Sequence, residues 1–290
     1  MMLEQKPKIP CTVQVFTLNS GGVLRRCLES LKGFDDILIL DGNSTDDTLA
    51  IAREYTNHIV KQADTDQPNY RIKDVAALRN KAIEEGRYDW NFYLDTDEEL
   101  PARTAEEIRR IVTTSPPEYF IYQLPGHIHF NGREIVHSTA YPGYQMRLLN
   151  RAAGIRHERT PHSRPAFDAR RVKVGTMENP WFVILEPGSG VKQYEPAINR
   201  GHIQIQIREA MKIPLSAFFY WIVLKNIASL GKTSMRMLWM YARYGLSGTL
   251  PPHIEVKRLQ YKLLFLFGAI KFRIRLALLG EQSHEKSTTH

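Results

Sequence analysis

Two aspartates separated by a single residue directly follow an apolar run about a third of the way along the chain. Asp95 and Asp97 follow Trp-Asn-Phe-Tyr-Leu at 90–94, and a short apolar run with aromatic residues predicts a buried strand. Carboxylate oxygens suit Mg²⁺ or Mn²⁺, with substrate phosphates completing the coordination shell. Such a metal neutralises the charge on a departing diphosphate. The triplet Asp-Thr-Asp therefore predicts metal-assisted chemistry on a phosphate-containing substrate.

A third carboxylate occupies a comparable position earlier in the chain. Asp41 follows the apolar run at 36–40 and opens the turn Asp-Gly-Asn-Ser-Thr-Asp. Ligands of open α/β sheets bind outside the carboxyl ends of the strands, so we expect Asp41, Asp95 and Asp97 to share one rim. A structural role for Asp41 stays open, because such residues build turns without any ligand.

The first 125 residues contain the elements that would position these carboxylates. Apolar runs predict strands at 11–18, 36–40, 58–61 and 90–94. Helical patterns predict helices at 23–32, after Thr45 or Asp46 as N-cap, and at 73–85. Strands that alternate with helices indicate an α/β/α three-layer sandwich with a parallel sheet.

Beyond residue 117 the pattern changes to successive strand-like runs. These are EYFIYQL, HIHF, REIVH and YQMRLLN, with a hairpin signal at Asn131-Gly132. They predict a mixed or antiparallel extension of the sheet. Residues 151–200 are rich in proline and loops, and helix dominates from about residue 203.

The net charge of +8 is concentrated in the last third of the chain. Residues 1–200 carry 26 Lys and Arg against 27 Asp and Glu, whereas residues 201–290 carry 13 against 4. The apolar stretches at 213–224 and 259–279 have uncharged runs shorter than the ~20 residues a membrane span requires. We expect a basic amphipathic surface on anionic lipid. The alternative is a helical subdomain with a solvated basic face. No nucleic-acid motif is present, so no nucleic-acid partner is expected.

The cysteines and the N-terminus bear on the compartment. Cys11 and Cys27 lie in an apolar run and a predicted helix, without a CxxC spacing, and are expected in the core of a protein in a reducing compartment. Residues 1–10 lack a signal-peptide apolar stretch. We therefore expect a cytoplasmic protein, peripheral on the inner face of the cytoplasmic membrane.

Several segments, taken in order, resemble a known enzyme family. They are CTVQVFTLNSGGVLRRCLESLKGFDDILILDGNSTDDTLAIA, LRNKAIEEGRYDWNFYLDTDEEL and YPGYQMRLLNRAAGIRHE. The first two are similar to the nucleotide-sugar-binding half of family 2 glycosyltransferases with the GT-A fold. The third resembles a subgroup that acts on lipopolysaccharide core and related bacterial glycans. The resemblance spans roughly residues 9–160 and implies transfer of a sugar to a cell-surface glycan or glycolipid precursor.

For the nucleoside part of the donor, the resemblance implies three residues. Thr17, Asn19 and Asp41 would lie against the base and ribose, with the Asp41 carboxylate accepting a hydrogen bond from a uracil-like N–H. A UDP-sugar is the favoured donor. Leu18 and Ser20 replace the aromatic and acidic residues often found in the family at this strand end, so stacking and ribose contacts would differ.

For the reacting part, the resemblance implies phosphate, metal and base residues. Arg79 would lie near the phosphates, Asp95 at the ribose or metal, and Asp97 as the direct ligand of Mg²⁺ or Mn²⁺. Glu158 would take the acceptor proton in an inverting transfer, although neighbouring arginines also make it a candidate for ion pairing. His202 would be an additional metal ligand, and a structural role is its alternative.

These expectations define domains and leave two other classes of function open. We predict a catalytic domain at 9–200, with the nucleotide-sugar half at 9–125 and an acceptor-side extension at 126–200, and a basic helical region at 201–290. The absence of a Q-x-x-R-W motif argues against a processive synthase. A nucleotidyltransferase would need a basic glycine-rich loop after the first strand. A non-catalytic sugar-nucleotide-binding or membrane-docking protein would bind donor without turnover.

Overall fold

The computed structural model describes residues 6–141, 143–158, 163–185 and 200–287, and it gives side chains from 203 to 278 in the last range. The chain divides into two compact units. The first comprises the described residues within 1–127 and 142–184, and the second those within 128–141 and 185–290. Part of the predicted acceptor-side extension therefore groups with the C-terminal helices.

The strands and helices predicted within the first 95 residues are present, whereas a helix at 102–113 and four short strands between 156 and 185 lie where none was predicted. In chain order the strands are β1 (Ile9–Thr17), β2 (Phe34–Asp41), β3 (Ile59–Lys61), β4 (Trp90–Asp95), β5 (Glu98–Glu99), β6 (Ile121–Phe130), β7 (Arg133–Ile135), β8 (Tyr144–Asn150), β9 (Arg156–Glu158), β10 (Arg164–Ala166), β11 (Val174–Thr176) and β12 (Trp181–Leu185). The helices are α1 (Gly21–Glu29), α2 (Thr48–Arg53), α3 (Val75–Glu85), α4 (Ala102–Thr113), α5 (Arg200–Met211), α6 (Leu215–Phe218), α7 (Lys225–Tyr244) and α8 (Pro252–Ser287).

One sheet joins most of these strands. Its order is β3-β2-β1-β4-β8-β6-β12-β5, with β7 and β11 also paired to β6, and β9 pairs separately with β10. The strands β3, β2, β1 and β4 are parallel, and β8 joins β4 in antiparallel orientation. The predicted parallel sheet is confirmed, and of the two predicted kinds of extension the mixed one is present, because β11 pairs with β6 in parallel whereas β8 and β7 pair with it in antiparallel orientation. The end of the run EYFIYQL and the run HIHF belong to one strand, β6, which continues through Pro125 and Gly126.

Helices cover both faces of the parallel strands, which gives the three layers. Cys11, Val13 and Val15 of β1 pack in one core cluster with side chains of α1, α2 and α4. On the other face, Leu38 and Leu40 of β2 pack with α3. Successive side chains of a strand point to opposite faces of the sheet, so both faces of these strands contribute to buried clusters. Cys11 and Cys27 are both buried free thiols, as predicted.

The helix after β2 begins later than predicted. We expected Thr45 or Asp46 as its N-cap, but α2 begins at Thr48 with Asp47 as N-cap. The Asp46 carboxylate accepts the Gly21 N–H and the Thr48 N–H, both at 3.0 Å. Asp46 therefore links the start of α1 to the start of α2. It makes the capping hydrogen bond to the first turn of α2, whereas Asp47 makes no side-chain capping bond, so only the helix boundary differs from the prediction.

The second unit is a hairpin with helices. Asn131 and Gly132 take positive φ angles of 52° and 72° between β6 and β7, which confirms the hairpin signal. A π-helical turn at Phe219–Leu224 joins α6 to α7. In the described part of the chain, no helix is both long and apolar enough to cross a membrane.

Candidate functional site

Three strand ends meet at one rim of the sheet. Thr17 of β1 is in register with Asp41 of β2, and Phe16 of β1 is in register with Asp95 of β4. Because the three strands are parallel, their carboxyl ends face the same way, and this is the rim where open α/β sheets bind ligands. The structure therefore brings the predicted nucleoside-side and metal-side residues to one edge.

Asp41 is held by its own turn. It is 4% exposed, and its Oδ1 accepts hydrogen bonds from Thr17 Oγ1 at 2.7 Å and Ser44 Oγ at 2.6 Å. Its Oδ2 accepts the Ser44 N–H at 2.8 Å. The next residue must be glycine, because a Cβ at Gly42 would lie 2.6 Å from the Tyr70 carbonyl oxygen. Asp41 is thus pre-oriented, with acceptor capacity remaining on Oδ2.

Asn19 ties the loop after β1 to the loops after β2 and β3. Its φ angle is +48°, and its Oδ1 accepts the Thr45 N–H at 2.9 Å. Its Nδ2 donates to Asn69 Oδ1 at 2.8 Å, and its own N–H donates to Ser44 Oγ at 2.9 Å. The amide of Asn19 is therefore engaged within the rim, and it shapes this edge of the site through three loops.

Backbone hydrogen bonds hold the acidic turn after β4, in which Asp95 is exposed and Asp97 is partly buried. The Asp95 N–H donates to Glu98 Oε2 at 2.9 Å, and the Asp97 carbonyl accepts the Ile184 N–H at 3.1 Å. The Asp95 side chain is 53% exposed. Burial raises the pKa of Asp97, and the neighbouring Asp95 charge raises it further. The turn therefore presents two like charges at close range.

A buried ion pair supports this turn. Glu98 and Arg147 are 4% and 2% exposed, and Arg147 Nη2 donates to Glu98 Oε1 at 2.8 Å while Nη1 contacts Oε2. Trp181 Nε1 donates to the same Oε1 at 2.9 Å. Burial raises the pKa of Glu98, and the Arg147 charge opposes that rise. Since Glu98 also accepts the Asp95 N–H, the pair positions the turn.

Arg79 brings a positive charge from α3 to the acidic turn. Its guanidinium lies 3.8 Å from the ring centroid of Tyr93 and 5.0 Å from that of Phe16. Its Nη2 is 3.9 Å from Asp95 Oδ1, and the side chain is 13% exposed. Stacking on two aromatic faces holds the cation in place. The arrangement suits a group that contacts an anionic substrate beside Asp95.

His157 and Glu158 lie on β9 in different environments. His157 is 4% exposed, and its Nδ1 is 2.9 Å from Ser163 Oγ. Asn80 of α3 accepts the His157 N–H at 2.7 Å and donates to its carbonyl at 3.1 Å. Burial, with a smaller contribution from the Arg79 charge, lowers the pKa of His157 to about 4. Glu158 is exposed, as a proton acceptor from a bound substrate must be.

His202 belongs to α5 in the second unit, and its side chain lies outside the described residues. Its role as a metal ligand remains a prediction. Among the described residues, no group of three or more His, Cys, Asp and Glu side chains could hold an ion.

The acidic turn nevertheless fits a divalent cation that keeps part of its own shell. The raised pKa of Asp97 reflects burial and a second negative charge, and a cation relieves both. Mg²⁺ is usually held by one or two protein carboxylates, with water and substrate phosphates as its other ligands. Asp95 and Asp97 match this donor set.

Sequence reasoning missed the residues that support the site. Glu98 was part of an acidic loop with no assigned role, and Arg147 was one residue of a predicted strand. The available signal was an arginine inside the apolar run YQMRLLN, since a buried guanidinium requires a carboxylate partner. Asn80 and Asn69 carried no signal, because their partners are distant in sequence.

The strand order defines an α/β protein with two carboxylates and a stacked arginine at the strand ends, where ligands of open α/β sheets bind. Residues 12–169, more than half of the chain, match the family model described as Glycosyl transferase family 2. The chain belongs to glycosyl transferase family 2. The predicted α/β class with a GT-A-like arrangement and a C-terminal helical region is confirmed.

Curated relatives share part of this region. The lipopolysaccharide core biosynthesis glycosyltransferase LpsC of Rhizobium meliloti is 28% identical over 109 residues, which are 38% of this chain and 39% of LpsC. The SPbeta prophage-derived glycosyltransferase SunS of Bacillus subtilis is 33% identical over 98 residues, 31% of this chain and 20% of SunS. The matches thus span at most about two fifths of these relatives.

A solved structure is similar over most of the chain. S. aureus TarS 1–349 in complex with UDP-GlcNAc has a TM-score of 0.45 and 14% identity, and the similarity covers 91% of this chain and 92% of that one.

Proposed function

We propose that this protein is a metal-dependent, inverting glycosyltransferase that moves a sugar from a nucleotide-diphosphate sugar to a glycan or glycolipid acceptor. One observation carries the proposal: the exposed Asp95 and the partly buried Asp97 lie at the carboxyl-end rim of the sheet in a family 2 chain, with Arg79 3.9 Å from Asp95. Charges of both signs at one rim suit a diphosphate and its cation.

The nucleoside part of the donor is assigned to the ends of β1 and β2. Asp41 is buried except for a small fraction and keeps acceptor capacity on Oδ2, which suits a base N–H such as that of uracil. A UDP-sugar is therefore the favoured donor. Thr17 and Asn19 act by holding Asp41 and the loops beside it, because their side chains already make hydrogen bonds within the protein.

The diphosphate part is assigned to the acidic turn and Arg79. Asp97 and Asp95 would hold Mg²⁺ or Mn²⁺, with Asp97 as the direct ligand. When bound, the cation neutralises charge that develops on the leaving diphosphate. Arg79, stacked between Phe16 and Tyr93, contributes a fixed positive charge to the same phosphates and loses little freedom on binding.

The transfer step requires one base, and Glu158 is assigned to it. The Glu158 carboxylate takes the proton of the acceptor hydroxyl as the hydroxyl oxygen bonds to the anomeric carbon. The bond from that carbon to the diphosphate oxygen breaks on the opposite side, so the configuration inverts. The electron pair leaves with the diphosphate, and the proton stays on Glu158 until solvent removes it.

The acceptor is proposed to be a cell-envelope glycan or glycolipid, in agreement with the similarity to LpsC, a lipopolysaccharide core biosynthesis glycosyltransferase. The transfer is proposed to be non-processive. We place the reaction at the inner face of the cytoplasmic membrane, because the basic C-terminal third suits the negative surface potential of that leaflet.

The test is the thermal unfolding midpoint with a panel of nucleotide sugars, each with and without Mn²⁺. A ligand that binds the native state raises the midpoint by mass action. We expect one donor to raise it only with metal, and Asp97→Ala to lose that rise. Asp89→Ala is the matched control, since Asp89 is an exposed aspartate just before β4, at the opposite end of the strand.

Each outcome points to one class of function. A metal-dependent shift with product formation establishes the enzyme. A shift without turnover on any acceptor leaves a non-catalytic sugar-nucleotide-binding protein. A shift with nucleoside triphosphates in place of sugar donors favours a nucleotidyltransferase. An unchanged shift in Asp97→Ala removes the metal site from the proposal.

A further inference from the structure

The outward side of α7 is apolar, although the proposed reaction makes no use of it. Ile227, Met235 and Leu238 recur at helical spacing and are 53%, 72% and 68% exposed. Trp221, in the π-helical turn before α7, and Trp239 are 52% and 60% exposed. Large apolar side chains that repeat along one side of a helix mark an interaction surface.

The opposite side of α7 is packed within its own unit. Met240 is 3% exposed, and Lys262 of α8 donates to Ser229 Oγ at 3.0 Å and to Thr233 Oγ1 at 2.7 Å. The Tyr241 hydroxyl donates to the Leu250 carbonyl at 2.6 Å. The helix is therefore held by one side, and its outward side is free to contact a partner.

The charge of this region selects the kind of partner. No acidic residue occurs between Glu209 and Glu255. Along α7 the exposed basic residues Lys225, Lys232 and Arg236 alternate with the apolar positions, and Lys225 Nζ lies 3.3 Å from a ring centroid of Trp221. Tryptophan and long basic side chains together suit the boundary between lipid tails and phosphates. A purely apolar protein partner would leave these cations unpaired.

We propose that the outward face of α7, together with Trp221 of the preceding π-helical turn, docks the protein on an anionic lipid bilayer. Its residues on α7 are Lys225, Lys232, Met235, Arg236, Leu238 and Trp239. The apolar and tryptophan side chains enter the headgroup boundary, and the basic side chains contact lipid phosphates. The helix axis then lies parallel to the membrane. The inference rests on the proposed function in one respect: a glycolipid acceptor lies in the same membrane.

The test is co-sedimentation with vesicles of phosphatidylcholine, with and without phosphatidylglycerol. We expect the wild-type protein to bind the anionic vesicles. Lys225→Glu/Lys232→Glu/Arg236→Glu should weaken that binding by about a hundredfold or more, since each basic side chain near the surface is worth about 1 kcal/mol. Trp221→Ala/Trp239→Ala should weaken it about tenfold or more, through lost apolar area.

The controls are charge reversals and an aromatic-to-alanine substitution at exposed positions outside α7. Arg170→Glu/Arg171→Glu reverses two exposed charges in the turn after β10, and Tyr144→Ala removes an exposed aromatic ring from β8. Both should keep wild-type binding. Circular dichroism and the thermal midpoint confirm that every variant is folded, and light scattering measures self-association.

Two results would overturn the proposal. The first is the absence of binding of the wild-type protein to anionic vesicles, or equal binding of the α7 variants and the wild-type protein. The second is a wild-type dimer that the α7 variants dissociate, because a second copy would then cover this face. The donor-dependent thermal shift is measured on the same variants, so loss of docking with an intact shift separates this proposal from the proposed function.

Discussion

Glu98 and Arg147 form a buried ion pair, with Arg147 Nη2 2.8 Å from Glu98 Oε1, on which the position of the acidic turn depends. Glu98 Oε2 accepts the Asp95 N–H at 2.9 Å, and Trp181 donates to Oε1. The pair thus connects β8, β12 and the end of β4 at a point where the substrate charges are proposed to bind. Its removal should change both stability and the site.

Glu98→Gln should destabilise the fold by about 3–5 kcal/mol, because it leaves the Arg147 charge buried without a counterion. Chemical denaturation measures the change in the free energy of unfolding. Glu99→Gln, at the adjacent and less buried position, is the control and should cost less than about 1 kcal/mol. Arg147→Met combined with Glu98→Gln should recover part of the loss, and a double variant as unstable as the sum would contradict the pairing.

Mn²⁺ affinity should rise with pH through the raised pKa of Asp97. Burial and the Asp95 charge favour the protonated Asp97, and a proton competes with the cation for the same oxygens. Affinity is therefore weak below that pKa and levels off above it. Asp95→Asn removes the like charge, so the midpoint of the profile should move to lower pH. Titration of Mn²⁺ by calorimetry at several pH values gives the profile, and a pH-independent affinity would refute the site.

Stability should fall on acidification because His157 is buried in its neutral form. Its pKa is about 4 in the folded protein and 6.5 in the reference state. Between these values the unfolded chain binds the additional proton, so the free energy of unfolding decreases as pH falls, by roughly 3 kcal/mol in total. His157→Gln should flatten this part of the profile. The control His253→Gln, at an exposed position, should leave it unchanged.

Glu158→Gln should lower kcat by about 10²–10⁴, the usual contribution of a general base, while the donor-dependent thermal shift stays at the wild-type value. Glu84→Gln changes an exposed glutamate on α3 and should have no effect on kcat. If Glu158→Gln and the wild-type protein have equal kcat, Glu158 is not the base. The alternative from the sequence, an ion pair with neighbouring arginines, would then apply.

Arg79→Gln should weaken donor binding about tenfold or more, because it removes a charge-assisted contact to the phosphates. The loss of stacking on Phe16 and Tyr93 should cost about 0.5–2 kcal/mol of stability. Arg87→Gln, at an arginine just after α3 that is 59% exposed, is the control. Calorimetry measures the donor affinity of each variant. Equal affinities of Arg79→Gln and the wild-type protein would show that Arg79 does not contact the donor phosphates.

Local patterns were sufficient to predict the sheet and its rim. The apolar runs before Asp41 and Asp95 specify buried strands, and parallel strands must end at the same edge, so the two carboxylates were expected together. Asp46 was a predicted cap of α2, and its Oδ1 accepts the Thr48 N–H, although the helix itself begins only at Thr48. The second bond, from the Gly21 N–H to Asp46 Oδ2, could not be predicted, because a capping pattern includes only neighbouring residues and Gly21 is 25 residues away.

The sequence by itself determined the alternation of strands and helices in the first 95 residues, the family, the acidic turn and the basic character of the last third, because periodicity, composition and motif spacing are properties of neighbouring residues. Only the tertiary structure decided that Glu98 pairs with Arg147 49 residues away and that Asn80 holds His157 77 residues away. It also decided which side of α7 is left exposed. Such pairings depend on how the elements pack, and packing brings together side chains whose separation along the chain carries no signal.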